Sequence, residues 1–433
     1  MDKNKRLTVW LPVIIAASIA LGIFIGNHYL SISQGKKRSY SSGNKINAIL
    51  DIIDEQYVDT VSMSKLVEST IPKIFSELDP HSVYIPAEDA SVVNEELEGS
   101  FSGIGVSFNM QTDTILVISV ISGGPAEKAG LLPFDRIISI NDSIFSGKKK
   151  NQGEIMKTLR GAKNSTVKLG VQRGNSPELL YFDVTRGDVP VNSVDVSYEA
   201  AKGIGYIKVS KFARNTYNEF ITAIAKLKQA GCTSFVIDLR GNTGGYMDAA
   251  INMINEFMPE GRLIVYTEGK SFPRSDVYAN GTGTCKDAPI VVLTDEISAS
   301  ASEIFSGAIQ DNDRGTIIGR RTYGKGLVQT QMSLSDGSEM RLTIARYYTP
   351  SGRCIQKKYE MGNTDAYDQD IYNRYMHGEF DSADSIKMDD SLKYQTVGGR
   401  TVYGGGGIMP DIFIPRDTSG VTSYYSNVVN SGV

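Results

Sequence analysis

A chain of 433 residues is too long for one small hydrophobic core and divides into several domains. Hydrophobic residues at 41%, charged residues at 22% and a formal net charge of −4 describe an ordinary globular body with a slight acidic excess, which excludes the basic surface of a nucleic-acid binder. Cys232, Cys285 and Cys354 share no paired spacing, so neither a disulfide framework nor a zinc cage is indicated, and no motif asks for a metal or cofactor.

At the N-terminus Lys3, Lys5 and Arg6 precede residues 7–26, which contain no charged side chain. As a helix at about 1.5 Å per residue this run reaches roughly 30 Å, one hydrocarbon core. A cleaved signal peptide has a shorter apolar region, about 7–15 residues, followed by a small-x-small site, which Asn27-His-Tyr-Leu30 does not offer. Residues 1–30 therefore read as a cytoplasmic tip and uncleaved transmembrane anchor. Lys36, Lys37 and Arg38 weaken the positive-inside asymmetry, but the expectation is a single-pass inner-membrane protein with its body in the periplasm or otherwise outside the cytoplasm. Residues 31–43, rich in Ser, Gly and Lys, form a linker.

Residues 44–95 make a small helical region, with Ile46, Ile49, Leu50 and Ile53, then Leu66, Val67, Ile71 and Ile74, at helical spacing. Two prolines in Leu78-Asp-Pro-His-Ser-Val-Tyr-Ile-Pro86 end it. From 96 to 187 the pattern changes to short β-type runs at 104–108, 114–121, 136–140, 167–172 and 179–184, with helices at 126–129 and 152–160. Ser102-Gly-Ile-Gly-Val-Ser-Phe108, with Gly124-Pro-Ala-Glu-Lys-Ala-Gly-Leu-Leu-Pro-Phe-Asp-Arg136 after it, resembles a PDZ domain. That resemblance implies that Gly103, Ile104, Gly105 and Val106 offer backbone N–H groups to a peptide's C-terminal carboxylate while a strand edge pairs with the peptide. The plainer reading is that these glycines only shape a hairpin.

Residues 188–356 alternate strands and helices: strands at 204–209, 234–239, 263–267 and 290–293, and helices at 216–229, after Gly245 and at 301–310. This is an α/β sheet with crossover connections, whose sites gather at the carboxyl ends of strands. Two loops fall there, Arg240-Gly-Asn-Thr-Gly-Gly245 and residues 295–299. Ser300 follows the second, and Lys325 lies in Tyr323-Gly-Lys-Gly-Leu-Val-Gln329. His28, His81 and His377 occupy no segment that reads as a catalytic turn, so a serine nucleophile here needs lysine as its base. Lysine serves only when neutral, and bringing its pKa from about 10.4 to about 7 requires roughly 4–5 kcal/mol of disfavour for the ammonium. The glycines and apolar neighbours of Lys325 suit such burial, and Gln329 orients the amine without adding charge. An oxyanion would face the Ala301 N–H, with the second donor from Gly244 or Gly245. Ser298 and Ser302 are rival hydroxyls, and the whole serine run also reads as a helix N-cap.

Asp238-Leu-Arg-Gly-Asn-Thr-Gly-Gly245, Ser298-Ala-Ser-Ala-Ser-Glu-Ile304, Gly319-Arg-Arg-Thr-Tyr-Gly-Lys-Gly-Leu-Val-Gln329 and Tyr348-Thr-Pro-Ser-Gly-Arg353 together resemble the carboxyl-terminal processing peptidases, or tail-specific proteases. The resemblance runs over about residues 44–355, with a weaker echo at 404–415. It implies a crotonase/ClpP-like α/β protease core with an inserted PDZ domain, an α+β multidomain chain overall. It also implies Ser300 as nucleophile, Lys325 as general base and Gln329 as its orienting partner, with His81 structural. The substrates implied are proteins with accessible, apolar C-termini; an adaptor or a second copy of the chain is left open. The long Tyr- and Asp-rich stretch within 357–433 departs from the commoner pattern and reads as helical or partly disordered, returning to the core near 404–415. Two other classes compete. Gly319-Arg-Arg-Thr-Tyr-Gly-Lys325 fits all but the last position of a phosphate-binding Walker A loop, but Gly326 stands where Ser or Thr binds magnesium and no helix pattern follows. A tethered PDZ scaffold with an inactive core would bind tails without cleaving them.

Overall fold

The computed structural model describes residues 12, 15–23, 42–111, 114–145, 152–174, 176–417 and 422–424. The described residues up to Thr70 belong to one unit and those from Ile71 onward to another. Part of the expected membrane span, residues 7–26, falls outside the described residues; residues 15–23 are helical and exposed. No helix among the described residues is long and apolar enough to cross a membrane. In the first unit the helical spacing yields Ser42–Gln56 and the start of Met63–Ser76, separated by an irregular turn.

The second unit holds two cores. The larger is built on a six-stranded sheet in the order Val194–Ala201, Ile204–Val209, Ser234–Asp238, Ile290–Thr294, Thr316–Gly319, Ile412–Phe413. Its first pair is antiparallel and the rest are parallel. Parallel neighbours require crossovers, which the helices Thr216–Gln229, Met247–Asn255 and Ala301–Asp311 supply. Phe257 sits at the centre, edge-on to Phe220, Phe235 and Phe305 with ring centroids 6.2–6.5 Å apart. Ala301–Asp311 is buried along its whole length, which fixes both of its ends against neighbouring loops.

A second sheet joins Val83–Ile85, Glu339–Tyr348, Leu263–Glu268 and Ser275–Tyr278, with Leu327–Ser333 paired on Glu339–Tyr348. Val83–Ile85, in the proline-bounded segment that ends the expected helical pattern, is a strand of this second sheet, aligned Val83 with Arg341. The stretch left between helix and disorder is ordered: it carries the helix Thr364–Met376 and the short hairpin Lys393–Gln395 with Thr401–Tyr403. Ile412–Phe413 then pairs with Thr316–Gly319 and closes the sheet edge.

The smaller core is a β module with the sheet order Val106–Gln111, Thr114–Val120, Arg136–Ile140, Thr166–Gln172, Leu180–Thr185. Helices Pro125–Ala129 and Gln152–Leu159 bury Ala126, Ile155 and Leu159 against Val117, Ile137, Val167 and Val184. The run expected as one strand at 104–108 is broken: Ser100–Gly103 pairs with Gly187–Pro190, Gly105 turns at φ 78°, and a new strand starts at Val106. Entry and exit of the module are thus one two-stranded stalk, tied to the larger core by Glu98 and Arg214 through two 2.6 Å hydrogen bonds.

Candidate active site

The loop 239–246 after Ser234–Asp238 and the turn 295–300 after Ile290–Thr294 meet at the carboxyl end of the parallel sheet. Asp295 holds the turn: its Oδ1 accepts the Ser298 N–H at 3.0 Å, and both its oxygens accept the Gly241 N–H at 3.0 Å. Ser300 then adopts φ 54°, ψ −112°, at the entry to Ala301–Asp311. An L-residue in so sparsely populated a region costs about 1–3 kcal/mol and persists only where neighbours over-determine it.

The rival serines are spoken for. Ser298 Oγ donates to the Leu239 carbonyl at 2.8 Å and Ser302 Oγ to the Asn242 carbonyl at 2.9 Å, and both side chains are buried. Ser300 alone of the three lines a cavity of about 650 Å³, together with Lys325, Gln329 and Gly244.

Two buried side chains staple the serine turn to the lysine loop. Glu303 Oε2 accepts the N–H of Ser300 at 2.8 Å and of Lys325 at 2.9 Å, while Oε1 accepts Gly324 N–H at 2.7 Å and the Thr322 hydroxyl at 2.5 Å. Burial pushes the Glu303 carboxyl up to about 7 even against the opposing pull of these four donors. Tyr347 works on the opposite polarity: its hydroxyl reaches the carbonyls of both Ser300 and Lys325. Glu303 stands three residues after Ser300, the spacing of a capping box, and that pattern was its only signal in the sequence. Tyr347 had none.

Lys325 Nζ donates to Gln329 Oε1 at 3.0 Å, and Gln329 Nε2 donates in turn to the His81 carbonyl. The His81 ring meets the Tyr367 hydroxyl at 2.9 Å, and burial lowers its pKa to about 4, so the imidazole is neutral. Burial also lowers Lys325 to about 8, with the Arg341 guanidinium adding repulsion and Asp79 and Glu303 opposing it. Among the described residues no hydrogen bond joins Nζ to the Ser300 hydroxyl. Gly324 has φ 93°, and a Cβ there would lie 3.1 Å from the Lys357 Cβ and 3.2 Å from the Gly407 nitrogen, so glycine lets the lysine loop seat against the C-terminal segments.

Ala301 N–H heads its helix and donates to no described group. Of the two glycines expected to supply a second donor, Gly244 is engaged: its N–H donates to Asn242 Oδ1 at 2.8 Å. The Gly245 N–H has no acceptor among the described residues, which leaves it as the free donor. In the β module, the Ile104 and Gly105 carbonyls accept Ala126 and Ile121 N–H groups at 2.7 and 3.0 Å, while their own N–H groups donate to no described group. Val106–Gln111 follows as an edge strand with one side unpaired. No cluster of His, Cys, Asp and Glu among the described residues could hold a metal ion. The segment 319–325 leads into the strand Leu327–Ser333 and not a helix, so it lacks the helix N-terminus of a phosphate loop.

Comparison with known proteins adds the lineage. Residues 203–365 match the family model "Peptidase family S41" and residues 102–195 that of the PDZ domain. The chain is 35% identical over 318 residues to the carboxy-terminal processing protease CtpB of Bacillus subtilis (strain 168), covering 73% of this chain and 66% of that protein. It is 33% identical over 365 residues to a probable CtpA-like serine protease of Staphylococcus aureus (strain N315), covering 82% and 72%. A solved photosystem II D1 C-terminal processing protease aligns with 87% of the chain and 94% of its own at a TM-score of 0.43 and 24% identity. The match to the staphylococcal protein spans most of both chains. The chain therefore belongs to peptidase family S41, as a carboxy-terminal processing serine protease that carries a PDZ domain.

Proposed function

We propose that this chain is a membrane-anchored endopeptidase in which Ser300 is the nucleophile, Lys325 the general base and Gln329 its orienting partner. The observation that carries the reading is that Ser300 is the one serine of its run lining the cavity that a partly buried, acidified lysine also lines. Neutral Lys325 takes the Ser300 proton as Oγ attacks a peptide carbonyl carbon. The oxyanion is received by Ala301 and Gly245 N–H groups, with Gly244 shaping the floor. The ammonium then protonates the leaving amine, and water resolves the acyl-enzyme by the same base in reverse. Because Nζ bonds Gln329 at rest, proton transfer follows a swing of the lysine side chain on its rotatable bonds, as catalytic contacts in unliganded sites commonly tighten only with substrate.

The PDZ module captures a free C-terminal carboxylate at Gly103, Ile104, Gly105 and Val106, with the tail adding as a strand to Val106–Gln111. Half-buried Phe108 and Met110 on that strand favour apolar tail residues. The apolar run at 7–26 anchors the chain in the inner membrane, with the body outside the cytoplasm. The test incubates an unfolded protein bearing an apolar tail with wild type, Ser300→Ala, Ser298→Ala and Lys325→Ala. Cleavage lost at 300 and 325 and retained at 298 is expected; equal cleavage by all four transfers the chemistry elsewhere. Tail binding without cleavage by wild type would make the chain a scaffold.

A further inference from the structure

The walls of the catalytic cavity are cationic beyond what the proton transfer needs. Lys211, Lys325 and Arg341 line it, against a single carboxylate, the exposed Asp248. Among the described residues neither Lys211 nor Arg341 forms an ion pair, in a protein whose other partly buried arginines mostly find one, as Arg320 does with Glu296 at 2.6 Å and Arg321 with Glu379 at 2.7 Å. Among the described residues the one hydrogen bond of the Arg341 side chain is a long one, 3.4 Å, to Gln331 Oε1. A guanidinium presents five donors in a fork shaped for a carboxylate, so most of this one's capacity is unspent and faces the space where substrate lies.

Position follows from register. Leu327–Ser333 pairs on one side with Glu339–Tyr348, and its other edge is open, with Leu327, Val328, Gln329, Thr330 and Gln331 lining the cavity. Gln329 aligns with Thr343 and Gln331 with Arg341. Arg341 thus stands two strand residues beyond the Gln329–Lys325 contact, about 7 Å along the strand. A substrate extended along this edge repeats its same-face side chains at that spacing, so Arg341 meets a side chain within about two to three residues of the scissile bond.

We propose that Arg341, assisted by Lys211, forms an anion subsite that selects substrates carrying Asp or Glu close to the scissile bond. This deepens the endopeptidase reading and rests on it. It separates two recognition events: an apolar free tail at the PDZ module, and an acidic residue at the cut.

The test uses the full chain in detergent and peptides with one fixed apolar free C-terminus. Glu, Gln or Lys is placed, one position at a time, at three positions on each side of the scissile bond. At one or more positions wild type is expected to cleave the Glu peptide about 3–10-fold faster in kcat/KM than its Gln isostere. The ratio falls to about one in Arg341→Gln, shrinks in Lys211→Gln, and in Arg341→Glu gives way to a preference for Lys over Gln. A ratio taken within one enzyme cancels differences in folded fraction and in the basicity of Lys325. A wild-type ratio of one at every position, or a ratio that survives in all three variants, overturns the subsite. If wild type cleaves no peptide, the endopeptidase reading fails separately, and fluorescence anisotropy of the same peptides on Ser300→Ala decides the subsite by the same Glu-to-Gln ratio in affinity.

Discussion

Lys325 owes its depressed pKa, about 8, first to burial and then to the charge on Arg341. With Lys325 as the proposed base, the sign of its pH effect follows from the need for a neutral amine: activity rises as pH climbs through that value, and at pH 7 about a tenth of the molecules hold the free base. We expect kcat/KM to show an ascending limb near pH 8. Replacing Arg341 by Gln removes a repulsion, raises the lysine pKa, moves the limb to higher pH and lowers activity at pH 7 about two- to fivefold. A profile flat from pH 6 to 9, measured on a substrate without titrating groups, would take Lys325 out of the proton transfer. Glu303 is tested differently. Glu303→Gln turns an –NH2 toward donors that now share one carboxylate, leaving at least one buried donor unmatched at about 1–3 kcal/mol. Denaturant titration should register that loss, and kcat should fall about a hundredfold or more with KM little changed, because the staple holds the reacting groups and not the substrate. A kcat within threefold of wild type would mean that the serine turn holds its strained backbone without it.

At the level of elements, the loop 239–246 and the serine turn are packed too closely for any side chain at 244. A Cβ on Gly244 would lie 2.8 Å from the Ser300 Cβ and 2.8 Å from the Ala299 carbonyl oxygen, at φ 105°. Gly244→Ala should reduce kcat about a hundredfold or more with the far-ultraviolet circular dichroism preserved. Gly241→Ala is the control: it has φ 73° but open space around it, and should cost about 1–2 kcal/mol of stability with kcat near wild type. Equal damage from both would mean that backbone strain, not contact with the serine turn, is what matters. The elements legible in the sequence were those with one buried face, such as Thr216–Gln229, whose Phe220, Ala223, Ile224 and Leu227 are buried at helical spacing. Val194–Ala201 was not predicted: Val194, Val196 and Tyr198 alternate with Asp195, Ser197 and Glu199 at the strand period, but the strand lies at the sheet edge and buries neither face. Ser300 and Lys325, which the structure brings to one cavity, stood out because their motifs are local, and Glu303 was within reach through its cap spacing. Arg341 was not: it reaches the lysine only through the pairing of Gln331 with Arg341 across a hairpin. Nor was the His81–Tyr367 contact, which joins positions 286 residues apart.

For the molecule as a whole, the decisive geometry is the stalk. Ser100–Gly103 and Gly187–Pro190 lie side by side in register, Ser100 with Pro190 and Gly103 with Gly187, so the β module leaves and re-enters the larger core at nearly one point. Each has its own hydrophobic cluster, with no residue shared between them. A module attached this way can be removed without opening a gap that a short turn cannot span. Replacing residues 104–186 by a two-residue Asn-Gly turn should therefore leave a protease body that unfolds cooperatively and still carries the cavity. If tail capture resides in the module, the intact chain will cleave a protein with a free C-terminal carboxylate faster than the same protein amidated at that end, by about tenfold or more in kcat/KM at low substrate. The shortened chain will cleave both at one rate, since the serine, the lysine and the cationic cavity are untouched while the N–H groups of Ile104 and Gly105 are gone. Persistence of the preference in the shortened chain would place carboxylate recognition in the cavity itself, where Lys211 and Arg341 are the groups able to supply it.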